Sequence, residues 1–370
     1  MKILFTGGGS GGHIYPLIAI AREIRRIYPK KLEFYYAGPK DEYGAILLKQ
    51  EDFIIKTIVA GKIRRYFSLE NISDVLFKIP IGFLQSFFLI FSLRPDLVFG
   101  KGGSGSVPVI YCARLFRIPV FIHESDVVPG LSNQAASKWA KKIFVSFPRT
   151  EYFDQEKVIL TGNPIRKELL EGDKNIAKEL FNLTFEKPII LIEGGSQGAE
   201  TINDFVLRVL NELLKNYELI HLTGRANFKG QVAESEVVID KNFAKYYHPV
   251  AFLDEEKLKH AYKAADFIIS RSGSGSIFEI SALGKPSILI PLPSAAGNHQ
   301  AKNAYAYTSS GAGLVIEQDN LAPNFFMEKL RNIFLHQETL EKMKEEALRF
   351  SKPFAAKAIA REILEFLTLN

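Results

Sequence analysis

Two tandem α/β domains, each a parallel sheet wound on both faces by helices, are the architecture expected of this chain. Short apolar runs alternate with helical stretches, glycine- and serine-rich loops follow several of the runs, and the alternation restarts near the middle of the 370 residues. Strand–helix alternation of this kind builds parallel, doubly wound sheets. A chain of this length also exceeds what one core usually serves and suits two ordinary domains.

The first element is a strand, Ile3–Thr6, that runs into the loop Gly7–Gly12 and then a helix opening at His13–Pro16 and reaching Ile27. Glycines allow a tight turn and a close approach to a ligand. The free N–H groups of the helix that follows then face that ligand with the positive end of the dipole. Pro16 is expected in the first helical turn, where no donor is lost. The loop is therefore suited to phosphate or sugar oxygens, with His13 at its edge.

Gly7, Gly9 and Gly12 also satisfy a dinucleotide fingerprint, which is weak without its context. A nicotinamide site wants an acid ending the second strand. That strand, Glu33–Ala37, ends instead in Gly38 and Pro39, with Asp41 beyond the turn.

A helix at Asp41–Gln50 and a strand at Ile54–Val59 follow. Leu76–Leu93 is densely apolar and rich in Phe, but it is short for a membrane span and carries Lys78, Pro80, Gly82 and Gln85. It reads either as a core helix or as a helix with one face in a membrane interface. Lys62, Arg64 and Arg65 before it and Arg94 after it would suit an anionic bilayer.

Strand Leu97–Gly100 leads into a second glycine cluster, GKGGSGSVP, and a helix at Val107–Leu115. Strand Val120–Ile122 delivers HESDVVPGLSN, with Glu124 and Asp126 at its carboxyl end and Asn133 opening the helix Leu131–Trp139. Such carboxylates can bind sugar hydroxyls or remove a proton, or Asp126, Ser132 and Asn133 can simply cap and turn the chain. Lys142–Val145 is the next strand, and TGNPIR, ending at Arg166, punctuates the pattern.

The second half begins with strand Lys187–Glu193 and the loop GGSQGA. Strands are expected at Glu218–Leu222, Val250–Phe252, Phe267–Ser270 and Ser287–Ile290, and Leu340–Leu369 reads as charged amphipathic helix. After the third of these strands, RSGSGSIFE carries a loop into a helix whose start suits a diphosphate. There Glu279, flanked by apolar Ile277, Phe278 and Ile280, is placed for ribose hydroxyls. After the fourth, GNHQAKNA sets Gln300 and Asn303 three apart, able to face one ligand. Ligands of such sheets bind beyond the carboxyl ends of the strands. Two domains with glycine loops there would face one another across a cleft, the GT-B architecture of nucleotide-sugar transferases.

Hydrophobic content of 47% and charged content of 24% are those of a soluble globular protein. The lone Cys112 excludes a disulfide framework and points to a reducing compartment. The apolar start reads as the first strand rather than as a leader. A charge of +6 favours anionic partners, but no arginine-rich tract or nucleic-acid motif accompanies it, which sets nucleic acid aside. There is no D-x-D, and the seven histidines form no ligand pair, so neither a metal nor a cofactor is expected. Gly-x-Ser-x-Gly occurs twice, at Gly8–Gly12 and Gly194–Gly198, without a lipase-type oxyanion motif, which disfavours a hydrolase.

The ordered set GGGSGGHIYP, GKGGSGSVP, HESDVVPGLSN, TGNPIR, GGSQGA, RSGSGSIFE and GNHQAKNA resembles the MurG family, which adds N-acetylglucosamine to lipid I in peptidoglycan synthesis. The resemblance spans the chain. It implies an inverting, metal-independent GT-B enzyme, peripheral on the cytoplasmic membrane face, with UDP-GlcNAc as donor and undecaprenyl-linked lipid I as acceptor. The division expected is 1–162 for the acceptor and membrane-facing domain and 163–346 for the donor domain, with a terminal helix of about 347–370 packing back on the first.

Ser10, Gly11 and Gly12 would lie at the donor diphosphate and the acceptor side, and His13 matches the proposed general base. Arg166 and Ser196 match donor contacts, and Leu253 matches a backbone contact to uracil. Arg271 and the run Ser274, Gly275, Ser276, Ile277, Phe278 and Glu279 would hold diphosphate and ribose. Gln300 and Asn303 would read the sugar hydroxyls. Glu124, Asp126, Asn133 and Ser104 would serve the acceptor side, Asp126 reaching the donor too. The resemblance also makes the membrane-interface reading of Leu76–Leu93 the stronger one.

Two positions depart from the family. Ser125 and Asp126 stand where it usually has two amides, and Ser104 where it often has tyrosine. Asp126 could thus compete with His13 as base. Alternatives are a glycolipid-forming GT-B transferase, a UDP-GlcNAc 2-epimerase, an inactive nucleotide-sugar-binding regulator and, last, a nicotinamide oxidoreductase.

Overall fold

The computed structural model describes residues 1–9, 11–61, 74–148, 151–195 and 198–369. It divides into two compact units, Met1–Arg166 with Pro353–Asn370, and Lys167–Lys352.

The first unit is built on β1 (Lys2–Thr6), β2 (Glu33–Gly38), β3 (Ile54–Thr57), β4 (Leu97–Gly100), β5 (Val120–Glu124), β6 (Lys142–Val145) and β7 (Val158–Leu160). All pairings are parallel, in the order β3-β2-β1-β4-β5-β6-β7. Helices α1 (Gly11–Ile27), α2 (Glu42–Gln50), α3 (Ile79–Leu93), α4 (Ser106–Leu115) and α5 (Leu131–Ser137) connect them.

The strands are apolar on both faces because both faces are covered. Ile3 and Phe5 of β1 enter the cluster with Leu17, Ile20 and Ile24 of α1, while Leu4 between them enters the opposite cluster with Ile90, Val109 and Ile110. Edge-to-face aromatic pairs, Phe5 with Phe34 at 5.7 Å and with Phe53 at 5.4 Å, fill the first cluster.

The helix α1 starts at Gly11, two residues earlier than expected, so Pro16 lies inside it rather than in its first turn. Proline has no N–H for the carbonyl four residues back, and that carbonyl belongs to exposed Gly12 in the first turn of the helix.

The apolar segment of the sequence forms one helical run, a π-helical turn at Asp74–Lys78 continued by α3. The run is 20 residues, long and apolar enough to cross a membrane by length and composition, and only 17% of its most apolar stretch is buried. Gly82, Ser86, Ile90 and Leu93 form the buried side of α3. The outer side presents Phe77, Leu84, Phe88 and Phe91 to solvent, each more than half exposed. It is therefore no core helix. Lys62, Arg64 and Arg65 lie outside the described residues.

The second unit repeats the plan with β8 (Ile189–Glu193), β9 (Glu218–Leu222), β10 (Tyr247–Val250), β11 (Phe267–Ser270), β12 (Ser287–Leu289) and β13 (Gly313–Val315). The order is β10-β9-β8-β11-β12-β13, again all parallel. Its helices are α6 (Lys174–Phe181), α7 (Glu200–Asn216), α8 (Phe228–Val238), α9 (Glu255–Ala264), α10 (Ser274–Ala282), α11 (His299–Thr308), α12 (Pro323–Leu335) and α13 (Gln337–Phe350). Strand β10 begins at Tyr247, three residues before the expected Val250, and contains Pro249. Proline is tolerated there because β10 is an edge strand.

The tail is two helices rather than one. Pro353 separates α13 from α14 (Ala355–Leu369). Helix α14 packs on α1, with Ile359, Ile363 and Leu364 joining the first unit's core. Ile363→Ala should cost roughly 2–5 kcal/mol, read in urea as earlier unfolding of the first unit, and an unchanged transition would contradict this docking.

Candidate functional site

In each sheet the strand order reverses beside the first strand of the unit, at β1 with β4 and at β8 with β11. Connections leave to opposite faces at such a switch point and open a crevice at the carboxyl ends of the strands. The glycine loops follow these four strands.

In the first unit Thr6 pairs with Gly100, and Lys101 N–H continues the ladder to the Thr6 carbonyl at 2.8 Å. The two loops then meet. A Cβ on Gly103, whose φ is +83°, would lie 2.8 Å from the Gly8 nitrogen, and a Cβ on Gly8 would lie 2.9 Å from the His13 ring. No side chain but hydrogen fits either place. The Tyr36 hydroxyl, from β2, donates to the Gly8 carbonyl at 3.1 Å.

His13 keeps some accessible surface, yet its ring sits among loop backbone: the Gly8 and Gly103 Cβ positions fall 2.9 Å from Nδ1 and 3.3 Å from Nε2. Desolvation, and then the charge of Lys101, bring its pKa down to about 4. The imidazole is neutral at neutral pH, as a proton acceptor must be.

Lys101 is a buried cation of this unit. Its ammonium hydrogen-bonds Ser125 Oγ, and burial lowers its pKa to about 8 against the opposing charges of Glu124 and Asp126. Glu124 holds the following loop together: it accepts from Asp126 N–H at 3.0 Å, Gly130 N–H at 3.1 Å and Asn133 Nδ2 at 2.9 Å. Burial, then Asp126, raises its pKa. Asn133 Nδ2 also reaches the His123 carbonyl at 3.0 Å. The carboxylate and amide of this motif are thus engaged in shaping the loop that carries Asp126, with Ser104 half-buried in the neighbouring loop. Arg166 is buried in the first unit, its guanidinium 3.8 Å over the Tyr15 ring of α1.

In the second unit Ser270 pairs with Glu193 at the switch point. Helix α10 starts directly after β11, and the Cβ positions of Gly273 and Gly275 meet nothing within 4 Å, so its first turn is open to a ligand. Ile277 and Phe278 are buried in the core, and only their backbone lies near that turn. Glu279 Oε2 lies 3.1 Å from the Tyr262 hydroxyl.

The Arg271 guanidinium is engaged with the Ile290 and Pro291 carbonyls, both at 3.2 Å, and with Gln318 Oε1 at 2.8 Å. It fixes the end of β12 beside the helix start. Gln300 joins the two neighbouring loops, its Oε1 accepting from Leu292 N–H at 3.0 Å and its carbonyl from Ser272 Oγ at 2.9 Å. Asn303 is buried one turn further along α11, and Leu253 is buried just after β10.

The fold thus gathers Ser274–Glu279, Gln300 and Asn303 on one edge of the second sheet, and His13, Glu124, Asp126 and Asn133 on the corresponding edge of the first. Ser10 and Ser196 lie outside the described residues. Three participants escaped the sequence reading: Lys101, Glu193 and Tyr262. A lysine inside a glycine loop after an apolar strand was the available sign for the first, and a glutamate ending an otherwise apolar strand for the second.

Residues 3–145 match the glycosyltransferase family 28 N-terminal domain and residues 189–361 its C-terminal domain. A relative from Clostridium kluyveri, a UDP-N-acetylglucosamine–N-acetylmuramyl-(pentapeptide) pyrophosphoryl-undecaprenol N-acetylglucosamine transferase, is 35% identical over 351 residues, 94% of this chain and 96% of its own. The enzyme of the same name from Clostridium tetani is 36% identical over 339 residues, 91% of each chain. Among solved structures, Acinetobacter baumannii MurG superposes with a TM-score of 0.74 at 24% identity, covering 98% of this chain and 99% of that one. A UDP-GlcNAc 2-epimerase from Neisseria meningitidis superposes at 0.67 with 15% identity, covering 99% and 100%. These last two likenesses are of fold.

Three desolvated histidines make stability pH-dependent. Burial holds His13 at about 4, His221 at about 3 and His123 well below its ordinary value. Unfolded histidines take up protons near 6.5, so the unfolded chain binds more protons between about pH 4 and 6.5 and stability falls as pH drops through that window. Glu193 and Glu124, raised in the fold, oppose this with two protons against three. Thermal unfolding should therefore come at lower temperature near pH 5 than near pH 7.5, and an equal or higher midpoint at pH 5 would refute the assignment.

Proposed function

This chain belongs to the MurG family of glycosyltransferases, and on that footing we propose how it transfers N-acetylglucosamine from UDP-GlcNAc to lipid I, giving lipid II for peptidoglycan synthesis. The observation that carries the reading is the neutral imidazole of His13 enclosed by two glycine loops at a switch point.

The donor binds the second unit. Its diphosphate lies on the open first turn of α10, at Ser274, Gly275 and Ser276, with the backbone of Ile277 and Phe278 behind it. Glu279 accepts the ribose hydroxyls, the Leu253 backbone meets uracil, and Gln300 and Asn303 read the sugar hydroxyls. Arg271 supports this edge, and Arg166 and Ser196 complete the donor contacts. Gly11, Gly12 and Ser10 of the first glycine loop are assigned to the diphosphate as well.

The muramyl C4 hydroxyl attacks the anomeric carbon while His13 takes its proton. The bond to UDP breaks in the same displacement, which inverts α to β. His13 is neutral before the substrates arrive, and the donor's negative charge would raise its proton affinity at the moment of transfer. Charge growing on UDP is met by N–H groups of the helix start and glycine loops, which need no metal and no cofactor. Asp126 faces the Lys101 ammonium, which supports a role as its counter-charge beside the acceptor. Asn133, Glu124 and Ser104 shape the acceptor side.

The exposed stripe Phe77, Leu84, Phe88 and Phe91 is the membrane contact, with Arg94 at its end. An apolar helix face beside basic residues lies stably in an anionic interface. It would hold the enzyme peripherally on the cytoplasmic face, where a lipid-linked acceptor is presented.

Transfer of labelled sugar from UDP-GlcNAc to a short-chain lipid I analogue should proceed in EDTA and require the acceptor, with UDP-glucose a poor donor. Loss of transfer in EDTA would defeat the metal-free reading. His13→Gln should lower kcat by about 10²–10⁴-fold with donor binding retained, whereas an undiminished kcat would remove His13 as the base. Replacing both Leu84 and Phe88 by serine should weaken binding to anionic vesicles by roughly tenfold or more, and unchanged binding would place the membrane contact elsewhere.

A further inference from the structure

Glu193 ends β8 beneath the donor-side edge of the second unit, 6% exposed and outside every role given above. Its carboxylate meets a group from each element packed around it. Oε1 accepts from Ser270 Oγ of β11 at 2.8 Å, Oε2 lies 3.1 Å from the Tyr262 hydroxyl of α9, and Ser276 of α10 hydrogen-bonds it as well. Glu279, also on α10, is the charged group that acts on it among the described residues.

The same Tyr262 oxygen stands 3.1 Å from Glu279 Oε2. A phenol has one proton, and an ionised carboxylate can only accept. One hydroxyl therefore cannot give both carboxylates a full hydrogen bond; with both ionised it only splits its proton between them. Both contacts reach full strength when one carboxyl carries a proton and donates it to the tyrosine oxygen. Glu193 is the enclosed member of the pair, and Glu279 is half-buried.

We propose that Glu193 is a positioning residue for donor binding: protonated, it donates to Tyr262, which in turn donates to Glu279 and fixes that carboxylate for the ribose. This rests on the reading that Glu279 holds the donor ribose. When Glu193 ionises, it competes for the single tyrosine proton and repels Glu279, and the ribose-binding carboxylate loses its anchor. Donor affinity therefore falls as pH rises. Burial, with the neighbouring Glu279 charge adding to it, pushes the Glu193 carboxyl up to about 7, which places the change in the neutral range. The relay also predicts that donor binding takes up a proton there.

Calorimetric titration of the full chain with UDP-GlcNAc tests this between about pH 6 and 8.5, a range in which a phosphodiester-type diphosphate does not itself titrate. Losing a hydrogen bond to a charged group should weaken the wild-type Kd about tenfold across the range, with proton uptake seen as buffer-dependent heat near pH 7. Glu193→Gln supplies an N–H that never ionises, so its affinity should stay at the wild-type low-pH value throughout. The same variant should unfold at higher temperature than the wild type near pH 8, which checks that it folds. Tyr262→Phe should bind weakly at every pH. A wild-type affinity that is flat in pH, or a Glu193→Gln variant that keeps the wild-type slope, would overturn the proposal. No UDP-GlcNAc binding at any pH would instead refute the donor assignment beneath it.

Discussion

The close approach of two glycine loops around one imidazole is the constraint on which the catalytic account depends. Strands β1 and β4 are neighbours at a switch point, so the loops leaving them converge before their helices part. They come so near that a Cβ on Gly103 would strike the Gly8 backbone and one on Gly8 would strike His13. That contact desolvates the ring and keeps it neutral, and it aligns the start of α1 with the same crevice. A looser junction would leave His13 a surface histidine, about a quarter charged at pH 7 and without a fixed direction.

The second unit uses the same geometry for a different purpose. At its switch point the groups are acceptors and helix N–H donors rather than a base: Glu279 and the start of α10 stand at the edge, with Glu193 and Tyr262 buried beneath them. In both units the buried ionisable groups are costly to keep. Lys101 and Glu124, and Glu193 and Tyr262, carry shifted proton affinities because the fold withholds water from them. Burial of this kind, at the carboxyl edge of a sheet, is where such shifts serve binding and proton transfer.

The fold class was legible because both faces of a parallel sheet are covered, so its central strands are unbroken apolar runs such as ILFT, LVFG and IILIE. The edges were not. Strands β7 and β13 are three residues long, and β10 contains a proline that only an edge position tolerates. The outward face of α3 could not be read from periodicity, since apolar residues surround it. Packing against α4 decides which side is buried. At the site, glycine and serine loops announce themselves locally, and so did His13. Lys101 acquires its meaning only when β5 places Glu124 and Asp126 beside it. Glu193, Tyr262 and Glu279 are scattered over three elements, and no local pattern links them. Arg271 shows the converse: its place beside a phosphate-type loop was evident, while its engagement with the end of β12 is visible only in three dimensions.

The most direct test of the central claim is an NMR titration of the His13 imidazole in the ligand-free protein, its signals assigned by difference with a His13→Gln chain. The enclosed ring should remain neutral as pH is lowered through 6.5 and protonate only near 4. A titration midpoint close to 6.5, the ordinary histidine value, would mean that the loops do not enclose the ring. The base, and the mechanism built on it, would then have to be sought elsewhere in the crevice.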